Sequence, residues 1–157
     1  MFKRRAVLLL ALVAAALLLW WVTHRRTDRQ LIDDVIAKVV HGVETKSLDE
    51  IMECVAPDYQ DDTGLSRVDV WRGAAQWVRT VDAAKVTIDD YSVDIQPPTA
   101  TGTFAVRMQV TRNGQLVELG PMHLTVQFEK ERKRLKRVWL VKSVSGYSSS
   151  RLLEGYM

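Results

Sequence analysis

The apolar residues of this chain change their spacing once. Before about residue 82 they recur at helical intervals, and beyond it they alternate. A chain ordered this way forms its helices first and an antiparallel sheet afterwards, an α+β arrangement. Three helices are expected. The first covers residues 28–46, where Leu31, Ile32, Val35, Ile36, Val39, Val40 and Val43 share one face. The second starts at Ser47-Leu48-Asp49-Glu50, a capping box in which Ser47 caps the backbone and Glu50 reaches back. It buries Leu48, Ile51, Met52 and Val55 and stops before Pro57. The third starts at Ser66, with Asp69 at the capping-box position and Val70, Trp71, Ala74, Trp77, Val78 and Val81 on its apolar face.

Four long strands follow. Val86 and Ile88 alternate in one phase and Tyr91, Val93 and Ile95 in the other, so a bulge or bend is expected at Asp89-Asp90. Pro97-Pro98 ends this strand. Ala100, Gly102, Phe104, Val106, Met108 and Val110 then form one face of the second strand, and Asn113-Gly114 reads as a hairpin turn. In the third strand Met122, Leu124, Val126 and Phe128 face one way, with Pro121 marking a bend or bulge. The charged stretch 129–137 is expected to turn the chain. Val138, Trp139, Leu140 and Val141 are apolar on both faces, which predicts a central or covered last strand.

Ahead of the helices, residues 6–22 contain no charged side chain. At about 1.5 Å per residue they reach about 25 Å, the short end for a transmembrane helix. Lys3, Arg4 and Arg5 on one side and Arg25 and Arg26 on the other can snorkel to extend that reach, and Trp20 and Trp21 suit an interface. A cleaved signal peptide is the rival. However, the small residues Ala14, Ala15 and Ala16 precede six further apolar residues, where a cleavage site should follow the apolar run. The reading is therefore a single-pass anchor and basic hinge (1–27), a domain (28–147) and a tail (148–157). Its short N-terminal end places the domain on the extracytoplasmic side.

The net charge of +3 misleads, because all nineteen acidic residues lie at or beyond Asp28 while five basic residues precede it. The domain is net −2, which gives no ground for a nucleic-acid partner. Charge is also polarised within it. Residues 28–94 carry seven basic and fifteen acidic side chains, and residues from 95 onward carry ten and four. Lys130, Arg132, Lys133, Arg134, Lys136 and Arg137 cluster at one turn. They read either as a solvated loop or as a docking patch for an acidic protein or anionic lipid headgroups. The single cysteine, Cys54, reads as a buried thiol. Three scattered histidines give no metal-ligand spacing, and no phosphate loop, dinucleotide fingerprint or nucleophile elbow occurs.

The long first helix, Ser47-Leu48-Asp49-Glu50-Ile51 leading into Ala56-Pro57-Asp58-Tyr59, the Trp-bearing third helix, the bent strand 86–95 and the strand 138–144 together resemble the nuclear transport factor 2-like superfamily. The resemblance covers about residues 28–147. It implies the cystatin-like cone fold, in which three helices pack on a curved four-stranded antiparallel sheet. That superfamily includes ketosteroid isomerase-like and dehydratase-like enzymes, pocket-bearing binding proteins and noncatalytic assembly domains. Its enzymes typically place a carboxylate or His inside the cone. Its tethered members include the inner-membrane assembly component of type IV secretion systems.

General acid–base chemistry would need such a group aimed into a dry pocket. The candidates are Asp61 and Asp62, in the polar turn with Asp58, and His123 on the third strand. Turn acids are usually solvated, and alternation puts His123 on the polar face with Thr125, Gln127 and Glu129. Asp89 and Asp90 could point inward at the bulge. Tyr59, Trp71, Trp77, Tyr91, Phe104, Met108, Met122 and Leu124 could line a cone cavity, or could simply be core. The expectation is a membrane-tethered, noncatalytic binding or assembly domain without a cofactor or metal, forming a homodimer through the open sheet face. The alternative is a small-molecule binder or isomerase/dehydratase-like enzyme using an apolar pocket.

Overall fold

The structure is a computed structural model that describes residues 11–20, 26–133 and 136–146 of the 157-residue chain. Residues 11–20 are helical with exposed side chains. Among the described residues no helix is long and apolar enough to cross a membrane. The rest of the expected anchor, residues 6–10 and 21–22, lies outside the described residues, as do the tail 148–157 and Arg134.

Helix α1 runs Asp28–Glu44, α2 Leu48–Glu53 and α3 Arg67–Thr80. Thr27 caps α1 reciprocally with Gln30, a capping box that satisfies the first free backbone donors. Ser66 and Asp69 form the expected box on α3. At α2 only half of the expected box forms. Ser47 accepts from the Glu50 N–H, but the Glu50 carboxylate turns to His41 Nδ1 at 2.6 Å.

The strands are β1 Ala83–Gln96, β2 Thr99–Arg112, β3 Gln115–Lys133 and β4 Lys136–Ser145, in the order β1-β2-β3-β4, each antiparallel to the next. Register slips between Ile88 and Asp90, at the expected phase change. A second slip falls opposite Gly120-Pro121, between Val106 and Met108. Asn113 (φ 50°) and Gly114 (φ 74°) make the tight turn between β2 and β3 in the positive-φ region that such hairpins need. Gly102 leaves room for the Phe104 ring, since a Cβ there would sit 2.5 Å from Phe104 Cε2.

Of the two readings of the last strand, the covered one holds: β4 is an edge strand, and the segment beside it covers it. The segment after α2 pairs with it, Ala56 N–H donating to Val141 O at 2.9 Å and Val141 N–H to Cys54 O at 2.8 Å. This satisfies the outer backbone groups of Val141, and the Gln60 N–H donates to Lys142 O at 3.2 Å, in the middle of an edge that would otherwise be open there. The charged stretch 129–137 is mostly strand, because β3 continues to Lys133 and β4 resumes at Lys136. Backbone pairing tolerates charged side chains where a ladder runs past the core. Helix α3 leans mainly on α2 rather than on the sheet and has no fully buried side chain.

The core joins Ile32 of α1, Met52 and Val55, Tyr59, and Ala100, Phe104, Val106, Phe128, Trp139 and Val141 of the sheet. Trp139 is 1% exposed. Trp139→Ala should therefore cost about 3–5 kcal/mol in urea unfolding, the usual range for deleting a large buried ring. A loss well below about 1 kcal/mol would mean that the ring is not packed as described.

Candidate functional site

The helices do not fill the concave face of the sheet. A cavity of about 310 Å³ remains between them. Val35, Ile36, Val39, Val40 and Val43 of α1 form one wall, with Ile51 and Val55 beside them and Val70 of α3. The opposite wall is the inner face of the sheet: Val86, Ile88, Phe104, Val106, Met108, Leu124, Val126, Phe128, Val141 and Val144. Tyr59, from the segment after α2, is the single lining side chain with a polar group among the described residues. Among the described residues no carboxylate, imidazole, amine, guanidinium or thiol lines the space, and no buried side-chain polar atom lacks a partner. Its size is at the lower bound of small-molecule pockets.

Of the expected lining residues, Tyr59, Phe104, Met108 and Leu124 are in the wall. Four are elsewhere. Trp71 is 50% exposed on α3. Trp77 is half-buried and donates from Nε1 to Val43 O at 3.5 Å, joining α3 to the end of α1. Tyr91 stands outside the wall and stacks on Phe104 (5.7 Å between centroids, 3° between planes). Arg29 lies over the Tyr91 ring, and the Tyr91 hydroxyl donates to Asp33 at 3.3 Å. Met122 is displaced from the wall at the Gly120-Pro121 bulge. What aromatic content alone does not indicate is the row of valines on α1, which forms most of the helical wall.

The catalytic candidates also lie away from the cavity. Asp61 is buried, but its Oδ1 accepts from Thr63 N–H, Thr63 Oγ1 and Leu65 N–H at 2.8–2.9 Å, so it organises its own turn. Asp62 is exposed. His123 is exposed on β3, opposite Ala105. Asp89 points outward and forms a two-point ion pair with Arg107 at 2.5 and 2.7 Å, which holds its carboxyl below the ordinary value. Cys54 is buried, and burial pushes its thiol up, away from reactivity.

Carboxylates of Asp58, Glu129 and Glu131 converge within 4.8 Å of one another. Lys142 Nζ pairs with Asp58 and, at 3.0 Å, with Glu129, so a cation of the chain itself already stands there. The hydrogen bond to Asp58, then that to Glu129, raises the Lys142 amine above its ordinary value.

Lys130, expected in a docking patch, is instead a structural group. Its Nζ pairs with Asp28 at 2.5 Å and lies over the Trp139 ring, whose Nε1 donates to the same Asp28 oxygen at 3.1 Å. Arg132, Lys133, Lys136 and Arg137 are exposed.

No protein-family model matches the chain, and no curated protein matches it in sequence. Solved structures do match its fold. A nuclear transport factor 2-like superfamily protein from Salmonella enterica serovar Typhimurium is 13% identical, with a TM-score of 0.62 over 77% of this chain and 92% of that one. A cystatin-like protein of unknown function from Nostoc punctiforme is 14% identical (TM-score 0.56; 74% and 87%). A proposed dehydratase of the nuclear transport factor 2-like family from Streptomyces avermitilis is also 14% identical (TM-score 0.57; 73% and 91%). The described domain thus has the nuclear transport factor 2-like, cystatin-like fold. A fold of this kind hosts both binding and enzymatic sites.

The Asp28 clamp makes a prediction about pH. Its carboxyl is lowered from 3.8, chiefly by the hydrogen bond from Lys130 and also by that from Trp139, against opposing desolvation. A depressed folded pKa contributes stability that is complete above the unfolded value and is lost as pH falls through the folded one. Asp28→Asn should therefore destabilise the domain at pH 7, and the gap to the unsubstituted protein should close as unfolding is measured below about pH 4. A gap that stays constant down to pH 2 would exclude a charge-dependent clamp.

Proposed function

We propose that the domain is a noncatalytic binding module whose cone cavity takes an uncharged apolar ligand, and that residues 6–22 hold it at a membrane on the extracytoplasmic side. The observation that carries the ligand reading is the chemistry of the wall. Proton transfer needs an acid or base within reach of the substrate. Among the described residues, the about 310 Å³ space offers only the Tyr59 phenol. A charged or strongly polar ligand would lose its hydration there without gaining partners. An apolar one would gain roughly 25 cal/mol for each Å² removed from water. The tether rests on the uncharged run of the sequence and its basic and tryptophan flanks.

The test uses a chain beginning at Arg26, which keeps every core residue, and a neutral dye, N-phenyl-1-naphthylamine, whose fluorescence rises in apolar surroundings. Saturable binding is expected. Val126→Phe and Val86→Phe fill the space from two strands and should each weaken binding about tenfold or more, with the melting transition retained. His123→Ala and Asp62→Asn should leave it unchanged. Absence of saturable binding, or equal binding by both filled variants, would contradict the reading.

A further inference from the structure

Four cations on the β3–β4 hairpin face one another in pairs. Register sets Arg132 opposite Arg137 and Lys133 opposite Lys136. Like charges placed directly across a ladder repel. All four are exposed, and among the described residues none of them forms an ion pair. The neighbouring acids Asp28 and Glu53 feel Arg137 and Lys133, but each is already paired, with Lys130 and Lys38 respectively. Lys133 and Arg137 also border a groove of about 420 Å³ lined by Leu31, Val35 and Val138 and by Asp34, Lys38 and Glu53. The Asp34 carboxylate pairs with Arg26 and that of Glu53 with Lys38, which leaves Lys133 and Arg137 as the groove's unpaired charges among the described residues. Positive charge beside apolar surface matches an anionic lipid, whose phosphate adjoins hydrocarbon, better than it matches a purely acidic peptide.

Position points the same way. The hairpin holds Asp28, the first residue of α1, through Lys130. Asp28 follows the last residue of the apolar run 6–22 by six residues. Six residues extend at most about 20 Å. An anchored chain therefore brings this hairpin within reach of the headgroups, along with the β1–β2 turn, whose Pro98 O accepts from the Lys130 N–H at 2.7 Å; only the hairpin carries the four cations.

We infer that the β3–β4 hairpin is a docking site for anionic phospholipid headgroups, which seats the domain against the bilayer through Arg132, Lys133, Lys136 and Arg137. This rests on the tether reading, so the experiment reports on the two separately. The full chain is reconstituted into liposomes of phosphatidylcholine, alone or with roughly a third phosphatidylglycerol. A membrane-impermeant acylating reagent then labels exposed lysines, read by mass spectrometry. Lys85, exposed near the other end of the sheet, is the internal control.

Docking predicts that Lys133 and Lys136 label about fivefold more slowly in the anionic liposomes, with Lys85 unchanged. The slowing should vanish at about 1 M salt, where screening reaches about 3 Å. It should also shrink in Arg132→Gln/Arg137→Gln, a variant whose circular dichroism should match the unsubstituted protein. Equal labelling in both liposomes, or slowing that survives the double substitution, would overturn the docking site. Slowing caused by soluble polyglutamate but not by anionic liposomes would overturn it in favour of an acidic protein. Release of the chain from neutral liposomes by alkaline carbonate would overturn the tether alone.

Discussion

Helix α1 is tied to the sheet by polar contacts at both ends. At its start the Asp28 carboxylate accepts from Lys130 and from Trp139. At its end the Glu44 carboxylate accepts from the Val86 N–H at 2.8 Å. The two attachments hold the helix across β1 and β4, the outer strands of the curved sheet, with Val35 and Ile36 packed against the core and a cavity left between its valine face and the concave surface. Interiors normally close to crystal-like density. Here the helix is fixed at its ends, and the short branched side chains Val35, Ile36, Val39, Val40 and Val43 leave the middle of the cone unfilled. The cavity follows from this geometry, and so does the chemistry it can support.

Much of the scaffold was legible from local rules. The phase change at Asp89-Asp90, the Asn113-Gly114 turn, the Pro121 irregularity and the Ser66-Asp69 cap each depend on residues a few positions apart, and each occurs where those residues predict it. What could not be read depends on distance or on volume. Lys130 reads as part of a basic cluster until the fold brings Asp28, 102 positions away, beside it. His41 shows no partner in the sequence until α1 and α2 meet and Glu50 turns to it. Alternation tells which face of β2 or β3 turns inward, but not whether anything fills the space beyond. An emphasis on aromatic residues therefore placed Trp71 and Trp77 in the wall and passed over the valines.

The surroundings of each ionisable group separate fold from function. Asp61 makes its own turn, Asp89 is held by Arg107, Asp58 and Glu129 share Lys142, and Cys54 is buried with its thiol raised. Each has a structural role, and none faces the cone. The likeness to solved structures shows the fold, and folds of this kind host binding and enzymatic sites alike. The proposed binding role rests on the wall chemistry.

Xenon tests the hollow cone most directly, because apolar cavities of this kind admit it where packed cores do not. Methyl-labelled protein beginning at Arg26 would be examined by NMR under xenon pressure. The account predicts saturable shifts at Val39, Val86, Leu124 and Val126, with Val110, buried outside the cavity, and exposed Val117 unmoved. An absence of shifts at the four lining residues, or equal shifts at all six, would contradict an apolar cavity between α1 and the sheet.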